Sequence, residues 1–291
     1  ESYAQELRVE SGSVEEMRWL FGASYSRDRI DYFRSLVAYD FLRGALGTAY
    51  RETDEAVSAF GQVEWRLAPR WLFTGSLRYT DENKAYDGGS FDIDPFGTSR
   101  IGLAFPRVVP NGLFGSPRYS DSDLSGRLGL NYEPHDRLLL YVSAGRGFKS
   151  GGFDGSGITQ PSSFTPFDAE TVYAYETGLK LRAPSNRFFV ASSVFFYDYS
   201  DKQEIALVDL GAGVNEAIIQ NAASSEIYGI DVEWNWLIGD ALTLSASATW
   251  LDSEITGWDS DDPAQVAARL DNDLPGTPKF MVTAAADWKH R

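Results

Sequence analysis

The chain has no cysteine, which excludes a disulfide framework and any thiolate metal site. Its two histidines leave little material for a His-based metal or catalytic centre. It is also poor in positive charge: 26 Lys and Arg stand against 42 Asp and Glu in 291 residues, a formal net charge of -16. Nucleic-acid backbones are held by Lys and Arg neutralising phosphates, so no nucleic-acid partner is expected. No apolar run reaches the roughly 18 residues that a membrane-crossing helix needs. No amphipathic helical period competes either, although DDPAQVAARLDND has room for a helical turn or two inside a loop.

Aromatic side chains are abundant, at 14% of the chain. They sit in short segments that alternate apolar and polar residues, the mark of strands with two unlike faces. In ALTLSASATW, Leu242, Leu244, Ala246, Ala248 and Trp250 share one face, and Thr243, Ser245, Ser247 and Thr249 the other. RWLFTGSLRYT, AVSAFGQVEWRL, IYGIDVEWNW and KFMVTAAADWK read the same way. About eleven segments fit this template, starting near Tyr3, Arg18, Ala56, Arg70, Leu124, Arg137, Thr171, Arg187, Ile227, Ala241 and Lys279.

The connections alternate in length. Short turns at SGSVEE, APR, EPHDR, APSNR and LIGD swap with long stretches at 27–53, 81–122, 151–169, 201–217 and 255–277, which read as irregular loops. Aromatics mark the strand ends: Trp65, Trp71, Tyr132, Trp236 and Trp288 at the turn end, and Tyr25, Tyr79 and Trp250 at the other. Leu242 to Trp250 is about the length of a tilted spanning strand. Turns at one end, large loops at the other, an apolar outer band and two aromatic girdles describe an all-β, antiparallel, up-and-down transmembrane β-barrel. Hydrocarbon offers no hydrogen bonds, so such a sheet must close. Its inner face is expected to hold Arg66, Arg78, Arg127, Glu176, Lys180 and Glu233, pairing across the wall or touching material in the lumen. A soluble β-sandwich also alternates, but it has no reason for girdles or for loops at one end only.

The stretch YVSAGRGFKSGGFDGSG looks at first like a phosphate cradle. A P-loop needs glycine directly before Lys-Ser and a helix after it; here Phe148 precedes Lys149 and no helical pattern follows. The glycines fit kinks or close strand approach at a barrel rim.

LLLYVSAGRGFKSGGFD resembles a stretch of TonB-dependent outer-membrane receptors. AVSAFGQVEWRLAPRWLFTGSLRYTDENK, AYETGLKLR, NAASSEIYGIDVEWNW, LTLSASATWLDSEI and LPGTPKFMVTAAADW resemble further strands of that family in the same order. The resemblance covers essentially the whole chain. It implies a barrel of about 22 strands filled by an N-terminal plug, residence in the bacterial outer membrane, and import of scarce nutrients, most often ferric siderophores, with energy passed through TonB, ExbB and ExbD. Residues 1–291 then read as one partial barrel domain, with plug, TonB box and closing C-terminal strand outside it. Lipid and lipopolysaccharide are the expected surroundings. A passive porin is the alternative.

No nucleophile-and-base pair stands out, so no enzyme, cofactor or metal site is expected. His135 and His290 lie at the turn end. The acidic runs at 259–263 and 271–273 match no EF-hand pattern and read as solvated loop. The 81–122 stretch carries Tyr86, Phe91, Phe96, Arg100, Phe105, Arg107, Arg118 and Tyr119, with Arg146 and Lys149 at the rim nearby. Aromatics with arginines suit a planar or anionic chelate. The same residues also suit a loop packed on its neighbours or on lipopolysaccharide.

Overall fold

The computed structural model describes residues 1–12, 16–37, 40, 43–94, 99–105, 107–108, 111–155, 159–209, 215–259 and 263–289. They form one antiparallel sheet. Its strands are β1 (Ser2–Glu10), β2 (Met17–Val37), β3 (Ala45–Ala68), β4 (Trp71–Asp92), β5 (Leu113–Gly115), β6 (Arg118–His135), β7 (Leu138–Lys149), β8 (Glu170–Arg182), β9 (Phe188–Asp209), β10 (Asn215–Ile238), β11 (Leu242–Trp258) and β12 (Phe280–Trp288). Each strand pairs with the next in sequence, except that short β5 sits beside β4 and the main path goes from β4 to β6. β1 and β12 each have one neighbour, so the sheet is open among the described residues. Among the described residues two short α-helices, α1 (Ile101–Ala104) and α2 (Pro263–Arg269), and a 3-10 turn at Pro161–Phe164 interrupt the connections, α2 lying inside the DDPAQVAARLDND segment.

The register sorts side chains into two faces. Val9, Phe21, Gly61, Leu77 and Gly126 form one continuous row across β1, β2, β3, β4 and β6. Leu7, Ala23, Ala59, Tyr79 and Leu124 form the next row on the same face. This face is apolar and open: Leu7, Phe21, Val57, Leu77 and Leu128 are all more than half exposed. A soluble core would bury such residues; a lipid-facing band leaves them for acyl chains.

Phe21 lies over Gly61, where an added Cβ would come within 2.7 Å of the ring. On the opposite face Phe60 covers Gly22 in the same way, with 2.4 Å to a hypothetical Cβ. The two glycines let neighbouring strands carry these rings flat on the sheet.

The band ends in aromatics. At the turn end Trp71 stacks on Tyr132, ring centroids 4.3 Å apart, and Phe188 meets Trp236 edge-on at 6.4 Å. At the other end Tyr3 meets Tyr25 at 6.2 Å, and Tyr228 meets Trp250 at 5.9 Å. Tyr25, Trp65, Trp71, Tyr79, Tyr132, Trp236, Trp250 and Trp288 all fall in apolar-face rows. The turns between are tight. Asn186 and Gly239 supply the positive φ, 56° and 60°, that such reversals need.

One expectation is corrected. The described residues of the stretches at 27–53, 81–122 and 201–217 are mostly strand rather than irregular loop. β2 continues to Val37, β3 begins at Ala45, β4 runs to Asp92, β6 begins at Arg118, and β9 and β10 reach Asp209 and Asn215. Above the upper girdle both faces meet water, so hydrophobic alternation stops while the backbone ladder continues.

Leu128 sits on the apolar face midway between Leu124 and Tyr132, and 58% of it is exposed. Leu128→Arg should cost about 2–4 kcal/mol, as cations do at a bilayer midplane, whereas Leu128→Ala should cost far less. Heat-modifiable gel mobility of the full-length protein in lipid vesicles measures both.

Candidate functional site

The extended strands raise a polar wall above the girdle. On the face opposite the apolar band, alternate residues of β3 run Thr48, Tyr50, Glu52, Asp54, Ala56, Ser58. They lie beside Tyr32, Ile30 and Asp28 of β2 and beside Tyr86, Lys84 and Glu82 of β4. Three tyrosines stack along this wall: Tyr32 on Tyr50 and Tyr50 on Tyr86, both with centroids 4.9 Å apart. Phe153 and Phe164 close on Tyr86 at 5.8 and 6.1 Å. They come from the connection after β7, which folds back over the wall. There Lys84 Nζ donates to the Gly151 carbonyl at 2.7 Å, Gly152 bridges to Phe167, and the Ile219 N–H donates to Asp154 Oδ2 at 2.9 Å. Gly155 lies against Tyr50, so closely that a Cβ would fall 2.5 Å from the ring.

The electrostatics are lopsided. Burial pushes the carboxyls of Glu52 and Asp54 above their usual range, and neighbouring acids add to it: Asp54 acts on Glu52, while Glu82 and Asp28 act on Asp54. Lys84 opposes both shifts. The Tyr86 phenol is raised by burial and then by Tyr50, Glu52 and Asp154. Tyr119 is pushed up to about 12 by burial and by Asp121, which accepts its hydroxyl at 3.2 Å.

The residues expected at the ligand divide. Tyr86 and Tyr119 come together in the aromatic cluster with Tyr50, Leu113, Phe153 and Phe164. Both lie in strands, not in a loop, and Tyr86 is only 2% exposed. Phe91 is on the opposite face of β4, stacked on Phe114 at 6.2 Å. Arg118 begins β6 on that same opposite face. Phe105 packs with Leu46, Ile101 and Val108 in a separate cluster. Arg100 precedes α1, and Arg107 is exposed just after it. Phe96 lies outside the described residues.

Arg146 marks a fork. The β6–β7 ladder ends at Gly126–Arg146 although both strands continue. The guanidinium spans the gap. It donates to both Asp123 oxygens, to the Leu124 carbonyl and to Thr171 Oγ1, and lies 5.9 Å from the Tyr173 ring centroid. Its donors are engaged in holding the wall. Lys149 is exposed at the end of β7.

Arg66, Arg78, Arg127, Glu176, Lys180 and Glu233 occupy the face away from the apolar band. Arg78 donates to Ser24 at 2.9 Å and Ser58 at 2.8 Å, Arg66 to the Pro69 carbonyl at 3.4 Å, and Arg127 lies 3.7 Å from Glu176. Lys180 and Glu233 flank Ala191 in one row across β8, β9 and β10. His135 ends β6, where its Nδ1 accepts the Arg137 N–H at 3.3 Å. His290 and residues 260–262 of the first acidic run lie outside the described residues. In the second run, Asp273 is 3.4 Å from Lys279, which also reaches Asp252 at 2.9 Å. Among the described residues no group of three or more acidic or histidine side chains converges to hold a metal ion.

Sequence reading missed Tyr32, Tyr50, Glu52, Asp54, Phe153 and Phe164 as site residues. The signal for the β3 members was period-2 spacing from Tyr50 to Ser58, hidden because Arg51, Thr53 and Glu55 are polar too.

Glu52 and Asp54 titrate higher in the folded protein than in the unfolded chain, so the folded state binds protons more tightly. Their contribution is therefore most favourable at acid pH and falls as pH rises through the folded values. E52Q/D54N should be more stable than wild type near neutrality, and the two should converge towards about pH 4. Thermal midpoints of both full-length proteins across pH measure this.

A family model described as TonB dependent receptor-like, beta-barrel, matches residues 3–291. The pesticin receptor of Yersinia enterocolitica is 21% identical over 256 residues, which is 87% of this chain and 34% of the relative. This chain thus spans about a third of the length of that relative. The ferric yersiniabactin uptake receptor FyuA from Yersinia pestis superposes with a TM-score of 0.76 at 16% identity, over 99% of this chain and 39% of that one. The siderophore receptor PiuA from Acinetobacter baumannii gives 0.70 at 16% identity, over 99% and 43%. At such identities the superpositions speak for the fold. With a family match running from the first strand to beyond the last, the chain belongs to the β-barrel domain of TonB-dependent receptors, proteins of the bacterial outer membrane.

Proposed function

We propose that this barrel segment is part of an outer-membrane receptor that takes up a scarce nutrient as a chelate, a ferric siderophore being the first candidate. The observation that carries the reading is the wall above the girdle. β2, β3 and β4 rise well past the membrane band, and their non-lipid face carries stacked tyrosines and ionisable groups under a folded-back connection. A rigid wall with aromatic and charged groups is suited to capturing a bulky solute at low concentration. The names of the two superposed receptors support iron chelates as cargo. Family members are transport receptors, and covalent catalysis has no part in this reading.

In the full-length protein a plug would fill the lumen, and the polar-face groups Arg78, Arg127 and Glu176 would lie against it. Energy would come through TonB, ExbB and ExbD, acting on the N-terminal part. Lipid would surround the apolar band, with lipopolysaccharide around the outer rim.

Deleting the gene should abolish energy-dependent uptake of at least one radiolabelled ferric chelate under iron limitation, and the full-length gene should restore it. Uptake that survives collapse of the proton-motive force would favour a passive pore instead.

A further inference from the structure

A groove crosses the apolar face near the turn end, over β6, β7, β8 and β9. Two rows of the register build it. The upper row is Leu130, Val142, Thr177 and Val194; the lower is Tyr132, Leu140, Leu179 and Ser192. Val142, Thr177 and Ser192 are short, so the surface sinks between the taller leucines and tyrosine. The stacked Trp71 and Tyr132 border the lower end. In the row above, Tyr175 lies on Phe196 at 6.3 Å. The cavity measures about 520 Å³, within the roughly 300–1,000 Å³ of sites that hold small ligands. Its walls are accessible: Val142 is 52% and Val194 50% exposed. None of them belongs to β1 or β12, the strands with a single neighbour.

The polar groups around the groove are ordered along the membrane normal. In the upper row the Thr177 hydroxyl donates to the Tyr141 carbonyl at 2.9 Å, which satisfies it within the sheet and leaves that level apolar. In the lower row Ser192 is half-buried, and among the described residues its hydroxyl has no hydrogen-bond partner. This is the girdle level, where lipid headgroups begin. Below it lie two turns. Arg70 directly precedes Trp71, and Arg137 directly precedes Leu138. Both are exposed, and among the described residues neither forms an ion pair. Glu133 and Asp136 share the second turn, so the partner there need not carry net charge. A guanidinium takes a phosphate through paired N–H groups. Apolar groove, free hydroxyl and free guanidinium groups follow the order of acyl chain, ester carbonyl and phosphate in a phospholipid.

We infer that this groove holds one phospholipid of the turn-side leaflet. An acyl chain lies along Val142 and Val194, an ester carbonyl accepts from Ser192, and the phosphate sits at Arg70 and Arg137. Short turns mark the periplasmic end of such barrels, so the occupant is a phospholipid and not lipopolysaccharide. The site is distinct from the loosely exchanging lipid around the rest of the band. It rests on the register of the membrane face and not on the uptake reading.

The test is native mass spectrometry of the full-length receptor, extracted from outer membranes in mild non-ionic detergent. One phospholipid should stay bound per receptor. Ser192→Phe fills the groove with an apolar ring that lipid tolerates, and should lower the retained fraction about tenfold. R70A/R137A should lower it too. Ala248→Phe, on the same face of β11 but outside the groove, should leave it unchanged. Heat-modifiable mobility checks that each variant folds. No retained lipid, retention of lipopolysaccharide alone, retention unchanged in either S192F or R70A/R137A, or equal loss in A248F would overturn the inference.

Discussion

Every peptide N–H and C=O that crosses hydrocarbon must find a partner within the protein, and everything else in this molecule follows from that demand. It forbids irregular backbone in the membrane band, so the strands run unbroken between girdles. It makes tight turns sufficient at one end. It frees one face of the sheet to be apolar, because lipid accepts side chains there without any core behind them. The described residues accordingly build little conventional interior. Their buried clusters are small and lie in the upper parts of the sheet, around Tyr86, Leu46 and Trp258.

Past the upper girdle the demand is lifted, yet the ladder persists. β3 and β4 stay in register from Trp65–Phe73 up to Leu46–Asp92. The membrane part of the sheet acts as a template, and the backbone keeps pairing into water. This extension creates the wall on which Tyr50, Glu52 and Asp54 are displayed. Arg146 spans the gap where β6 and β7 part. Packing and charge then divide the labour: the connection after β7 supplies Phe153 and Phe164 as cover, and Lys84 offsets part of the charge of the acids beneath it.

The membrane part was legible in the sequence because lipid and lumen impose opposite chemistries on alternate residues. Leu242, Leu244 and Ala246 against Thr243, Ser245 and Ser247 need no structure to be sorted. The girdle was legible for the same reason, since Trp and Tyr concentrate where an apolar body and a polar tip are both served. The extension was not. In YRETDEA both faces are polar, and a strand without contrast resembles a loop. The ligand-facing set was legible only in part. Tyr86 and Tyr119 were found by composition, but their partner Tyr50 is set by register, and Phe153 and Phe164 by a distant connection folding back. Composition alone also grouped Phe91 with Tyr86, although five positions along a strand place them on opposite faces.

The central claim is a sheet with one face in lipid and the other in a polar lumen, and the absence of cysteine makes it directly measurable. Single cysteines placed one at a time from 242 to 250 in the full-length protein, spin-labelled in vesicles, should alternate strictly. Even positions should be relaxed by lipid-soluble oxygen, and odd positions by a water-soluble nickel chelate. Accessibility without that two-residue period, or with the two sets reversed, would contradict the account.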